Sequence, residues 1–313
     1  MRYLKLSIVI AAAASLVALA SSQSSRATFN GPNGLLVFQA QVGANTQLFT
    51  VKPDGTGVTQ ITHFKDRSAT DANWVRGGSR IVFTQHWDPG GPSEHFRLST
   101  IKPDGSGLRA LPKAGRLSVA PNWLGSGKIV FLDAQGAHGG RLMVINANGT
   151  GLRRARVPGT GPFSACALPG GKRVAYFAAN PANGELGAIF VSRLFGKGGK
   201  RITPWATYAD KLDCSPDGKR VVFSKPAFGH GKSSNVYTIR IDGSGLAQLT
   251  HEKGGAINAG ANSWSPDGTK IAYVSNKSGT YQIWTMNADG SRARQLTHRT
   301  EAHLAAWGAT NER

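Results

Sequence analysis

Long apolar runs, acidic residues and cysteine are all scarce in this 313-residue sequence. The one long apolar run is Leu6–Ala20, shorter than the roughly 20 residues needed to cross a bilayer. No other stretch is long and apolar enough to span a membrane. No cysteine follows that run, which argues against a lipoprotein anchor. A Gly-x-Ser-x-Gly elbow is missing, so the hydrolase domain that follows some repeat domains of this kind is not expected. The segment around Gly229–Ser233 suggests a phosphate loop. However, Pro226 occupies the position of its required first glycine. There are 17 Asp and Glu against 37 Lys and Arg, giving a formal charge of +20. So basic a surface favours anionic neighbours, or serves only to keep the chain soluble. Two cysteines, Cys166 and Cys214, leave a single pairing to consider, and the sequence does not give their separation in space.

What is present starts with a leader. Arg2 and Lys5 precede the apolar run, Ala18-Leu19-Ala20 is a small-x-small cleavage site, and a Ser-rich exit follows. Residues 1–20 read as a secretory signal peptide, with an uncleaved anchor as the alternative. The expected boundaries are a linker over 21–33, one domain over 34–309 and a tail over 310–313. Export would permit a disulfide between the two cysteines.

The domain is a repeat. An alternating strand, a turn and a second short strand recur from Gln47, Arg97, Arg141, Ala188, Asn235 and Gln282. The fourth copy, Ala188–Pro204, is degraded. A second motif, clearest as Trp264-Ser-Pro-Asp-Gly followed by Ile-Ala-Tyr, lies between the copies. Its anchors at 74, 123, 167, 214 and 264 are spaced by 49, 44, 47 and 50 residues. Periods of this size, with several strands per unit, indicate propeller blades. In the Ser-Pro-Asp-Gly turns, Pro216 and Pro266 pre-set φ, Asp217 and Asp267 can bond the backbone, and Gly218 and Gly268 accept positive φ. Asp-Gly and Asn-Gly pairs at 54–55, 104–105, 148–149, 242–243 and 289–290 read as hairpin turns.

The expected fold is therefore all-β, a six-bladed propeller of four-stranded antiparallel blades. Residues 302–307 have no strands after them and 34–63 lack an anchor strand. A 1+3 closure, in which the late strand completes the first blade, is expected. These motifs resemble the TolB-type propeller repeat, a relative of the Trp-Asp repeats, over essentially the whole mature chain. TolB carries an extra α/β domain before its propeller. Only residues 21–33 precede the first strand here, so a role in the Tol–Pal system is not implied. The repeat residues are turn and core residues and do not specify a function.

Candidate binding residues fall in two groups. At the channel mouth, where the inner strands begin, are Asp71, Asn73, Asp210, Lys211, Asn258, Asn262 and His303, with Asn122 and Asp213 at related positions. In face loops are His86, Trp87, His95 and Trp205, together with His138 and His230. His63, His251 and His298 close outer strands and are expected to face solvent. Enzymes on this fold, polysaccharide lyases among them, use a metal held by histidines near the channel, yet only His303 stands at an inner-strand start. No catalytic residue, metal or cofactor is expected. The expected function is an exported binding or scaffold propeller, a monomer, recognising a protein or an anionic envelope polymer and not nucleic acid. The alternative is a metal-dependent polysaccharide lyase or hydrolase.

Overall fold

The computed structural model describes residues 26–27 and 31–310, apart from 89–90, 92, 116, 126, 135–139, 181, 183–186, 197, 226–232, 254–256 and 299–300. The leader at 1–20, His138, His230 and residues 311–313 lie outside the described residues.

Six sheets form the molecule, and each is built from one copy of the repeat. Blade 2 shows the pattern. Its strands run Ser68–Trp74, Ile81–Trp87, His95–Ile101 and Arg109–Ala110, each antiparallel to the next. Blades 3 to 6 repeat it from inner strands Ser118–Gly125, Thr160–Ala167, Asp210–Cys214 and Ala259–Trp264. Blade 1 takes its inner strand, His303–Ala309, from the far end of the chain and places it beside Asn33–Val42, with Ala306 opposite Val37. The 1+3 closure is thus present. Each inner strand lies against the next, including His303–Ala309 against Ser68–Trp74, so the ring is closed.

Turn chemistry fixes the blades. Asp54, Asp104, Asp242 and Asp289 each accept a hydrogen bond from the backbone N–H two residues on, at 2.8 to 2.9 Å. Those bonds, together with the hydroxyl of the same Ser or Thr, hold Asp54, Asp104 and Asp242 below the ordinary carboxylate value, and for Asp289 the Ser291 hydroxyl leads with the backbone bond behind it. The second strands, such as Ile-Val-Phe and Ile-Ala-Tyr, are apolar on both faces because blades cover them from both sides.

The core is divided among the seams between blades. Six apolar clusters lie between neighbouring blades; five draw on two blades each, and the one between blades 3 and 4 also takes in Phe96 of blade 2. The anchors Trp74, Trp123, Trp264 and Trp307 are buried in four of them. Between blades 4 and 5, Cys166 and Cys214 form a disulfide with their Cα atoms 5.5 Å apart. Beyond the expected blades, blade 5 has a fifth strand. Arg26–Ala27 pairs parallel to its inner strand, with Arg26 opposite Asp213 and Ala27 opposite Cys214. That short strand also lies against the inner strands of blades 2, 3, 4 and 6, which places it in the central channel.

Candidate functional site

The inner strands share an irregularity near their starts. Their register against the second strand shifts between Thr70 and Asn73 in blade 2, Asp210 and Asp213 in blade 5, and Gly260 and Ser263 in blade 6. At these bulges the backbone of Asp71, Ala120, Lys211 and Leu304 has φ between 47° and 56°, and Gly161 does the same in blade 4. Residues other than glycine rarely adopt this conformation. Bulges bend a strand and re-aim its side chains, and they gather beside functional sites. Here they ring the mouth of the channel.

Within that ring, Asp210 and Lys211 of blade 5, Asn258 just before the inner strand of blade 6, and His303 of blade 1 line one cavity of about 390 Å³. Gln39, Ser224, Ser234 and Tyr281 complete its polar wall. Asn258 donates from Nδ2 to the Tyr281 hydroxyl at 3.2 Å, and the Tyr281 ring lies 4.9 Å from that of His303. His303 Nε2 is 3.5 Å from Glu301 Oε1. Burial holds the His303 imidazole below its ordinary value; Glu301 opposes this and Lys211 adds to it. Asp210 Oδ1 is buried with no hydrogen-bond partner. Burial raises the Asp210 carboxyl, while the Lys211 charge and a backbone hydrogen bond to Lys211 pull the other way. A buried carboxylate oxygen without a donor is costly, and an incoming cationic or N–H group relieves that cost.

The remaining mouth candidates are placed in the walls. Asn262 is buried and donates to Ser224 Oγ at 3.0 Å. Asp71 and Asn73 are buried, and the Asp71 N–H donates to Gln39 Oε1 at 3.1 Å. Asn122 and Asp213 bond across blades: Asp213 accepts the backbone N–H groups of Cys214 and Trp264 at 3.0 and 2.8 Å.

The face loops begin where second strands end, on the same face as the mouth. There His86 is buried, stacks on Phe96 with ring centroids 4.1 Å apart, and meets Glu94 Oε1 at 2.6 Å. Trp87 stacks on His95 at 4.7 Å, and the guanidinium groups of Arg67 and Arg97 lie over its ring. Trp205 is partly buried against Phe190, with Arg201 over it. These aromatics are covered by the chain's own groups. His63, His251 and His298 are exposed. Among the described residues, no group of three or more His, Cys, Asp or Glu is placed to hold a metal ion. Likewise no described helix is long and apolar enough to cross a membrane.

Residues 163–312 match the TolB beta propeller domain family. The chain is a six-bladed β-propeller whose second half matches the TolB repeat. Among solved structures, TolB from Acinetobacter baumannii is similar with a TM-score of 0.70 and 16% identity, covering 88% of this chain and 67% of that one. A putative TolB from Agrobacterium tumefaciens has a TM-score of 0.65 and 14% identity, covering 88% and 92%. At such identities the likeness concerns the fold. By sequence, the uncharacterized protein Atu1656 of Agrobacterium fabrum is 27% identical over 214 residues. That match takes in 65% of this chain and 64% of Atu1656, so the TolB-like chain spans less than two thirds of that relative.

Proposed function

We propose that this TolB-like propeller is an exported binding or scaffold protein without catalytic chemistry of its own, and that it takes a protein partner at the channel mouth. The observation that carries this reading is Asp210. Its Oδ1 is buried at the cavity wall, lacks a donor and is held there on a bulged strand. An incoming Lys, Arg or backbone N–H supplies what that oxygen lacks. The channel also accepts extended backbone: Arg26–Ala27 pairs along its blade-5 edge. Extended segments add to open strand edges in this way, with main-chain bonds for affinity and side-chain pockets for specificity. The donor-less Asp210 oxygen favours a cationic or N–H-bearing protein segment at the mouth over an anionic polymer. Export is supported by the leader pattern and by the Cys166–Cys214 disulfide, since disulfides persist in oxidising compartments.

The test is an affinity capture from envelope extract of the producing organism, with the chain from residue 21 onward as bait, washed at low and high salt. The expected result is one protein that survives high salt and is lost when the bait carries Asp210→Asn. Capture unchanged by that substitution moves the site away from the mouth. Capture of nothing removes the scaffold reading.

A further inference from the structure

Five of the six seams between blades are closed at the outer rim by one device. The third-to-fourth-strand turn of each blade sets a glycine onto the outer strand of the blade before it. Gly55 sits against the Leu296 carbonyl, Gly105 against that of Ile61, Gly243 against that of Ile202, and Gly290 against that of Leu249, while Gly149 meets the Leu111 side chain. These five apolar residues occupy one repeat position, shown by a shared backbone bond from their N–H to the third strand. In blades 1, 4, 5 and 6 a threonine follows, and its hydroxyl accepts a backbone N–H of that strand at 2.8 to 2.9 Å.

The seam between blades 3 and 4 departs from this on both sides. The apolar position holds Ala155, the smallest of the six residues there, and the threonine position holds Arg156. The glutamine of the Gln-Leu-Thr pattern is Arg154, and Arg153 precedes it. Opposite, blade 4 has no Asp-Gly turn but Leu194-Phe195-Gly196 running on to Gly198. The two sides are tied by one backbone bond, Arg156 N–H to the Leu194 carbonyl at 2.8 Å. What remains is a groove of about 970 Å³ lined by Arg153, Arg154, Arg156, Phe195 and the flanking glycines. All three arginines are exposed, and Phe195 is 44% exposed beneath the Arg153 guanidinium, 4.6 Å from its ring centre. Among the described residues, none of the three arginines has an ion pair. The carboxylate that the turn supplies in blades 1, 2, 5 and 6 is missing from blade 4.

We propose that this groove is a binding site for a linear phosphate-bearing polymer, separate from the channel mouth and independent of the protein-binding reading. Three arginines line it, and among the described residues none of them is ion-paired. Arg154 and Arg156 are two residues apart on an extended segment, about 7 Å along it, so closely spaced oxyanions meet a guanidinium at successive steps. Guanidinium forks pair bidentately with phosphate oxygens. A phosphate chain sets its negative charges closer together than the one carboxylate per sugar ring of a uronic-acid chain, and closely spaced arginines favour the denser charge. Blade 3 alone has arginine at both the glutamine and the threonine position, beside a shortened alanine, which trades seam packing for a charged trough.

The test is a binding titration of the whole protein with linear polyphosphate, alongside inorganic phosphate and polygalacturonate. Arg154→Gln with Arg156→Thr restores the repeat's own residues, so the fold is expected to survive, and thermal unfolding verifies it. Arg109→Gln with Arg240→Gln removes the same charge elsewhere on the surface. Polyphosphate is expected to bind the wild type, with at least about tenfold loss in the groove variant, which corresponds to about 1.4 kcal/mol, and little change in the control. Equal loss in both double variants overturns the proposal, because binding then follows net charge. Tighter binding of polygalacturonate overturns the phosphate assignment. Inorganic phosphate binding as tightly as the polymer reduces the groove to a single-anion site and overturns the polymer. No binding of polyphosphate sinks it outright.

Discussion

The indole of Trp74 donates its Nε1 hydrogen to the carbonyl of Ala306 at 3.1 Å, across the seam where the late inner strand of blade 1 meets blade 2. The same ring covers Gly308 so closely that a Cβ there would overlap the indole. Gly308→Ala is therefore expected to destabilise the protein by about 2 kcal/mol, the usual cost of overpacking a filled core. Trp74→Phe combined with it is expected to recover part of that loss. Chemical denaturation of the two variants checks both statements.

Cys166 and Cys214 are 48 residues apart in sequence and link the inner strands of blades 4 and 5. On the chain-entropy account, closing a loop of that size stabilises the fold by about 4 kcal/mol. Replacing both cysteines with alanine is expected to lower the denaturation midpoint by a corresponding amount. Reductant is expected to shift the wild type towards the variant and leave the variant unchanged.

Asp210 opposes stability with function. Its folded carboxyl is raised above the ordinary 3.8, so between those values the folded state holds more protons than the unfolded one. Stability then falls as pH rises through that window. Asp210→Asn is expected to melt higher than the wild type at neutral pH, with the gap shrinking as pH falls towards 3.8. The same variant is expected to lose the partner at the mouth. Melting curves against pH read the first effect and the affinity capture reads the second.

His303 acts in the opposite sense. Its folded imidazole titrates below the ordinary 6.5, so just below that pH the unfolded chain holds the extra proton. Stability contributed by the neutral ring is present above 6.5 and declines as pH falls through the window. His303→Gln is expected to flatten the acid side of the stability profile and leave the neutral plateau close to that of the wild type. A series of melts on the acid side of neutrality is the measurement.

The blades were legible because their signals are local and recur six times: a turn that demands Asp-Gly, an apolar second strand, a tryptophan anchor. The closure followed from one strand without successors and one blade without an anchor. The channel mouth was only half legible. Asp210 and Asn262 both stand on inner strands, but a bulge intervenes, so one lines the cavity and the other is spent on Ser224. Nothing in a run such as Asp210-Lys211-Leu212 announces a left-handed lysine. Tyr281 and Glu301 carry no motif and enter the site only through the ring geometry. The groove of blades 3 and 4 is made of two departures about 40 residues apart, each of which reads alone as a worn repeat.

Trp307 hydrogen-bonds from Nε1 to the carbonyl of Gly34, its neighbour in space and 273 residues away along the chain. Synthesis therefore delivers the second strand of blade 1 first among the blades and its inner strand after all the others. Until residue 309 has left the ribosome, blade 1 is a three-stranded fragment and the seams on either side of it lack a wall. Contacts of such separation form slowly, because the loop they close is long. The ring closes after translation has passed its last blade, and a chain halted before that point presents open sheet edges to whatever handles it.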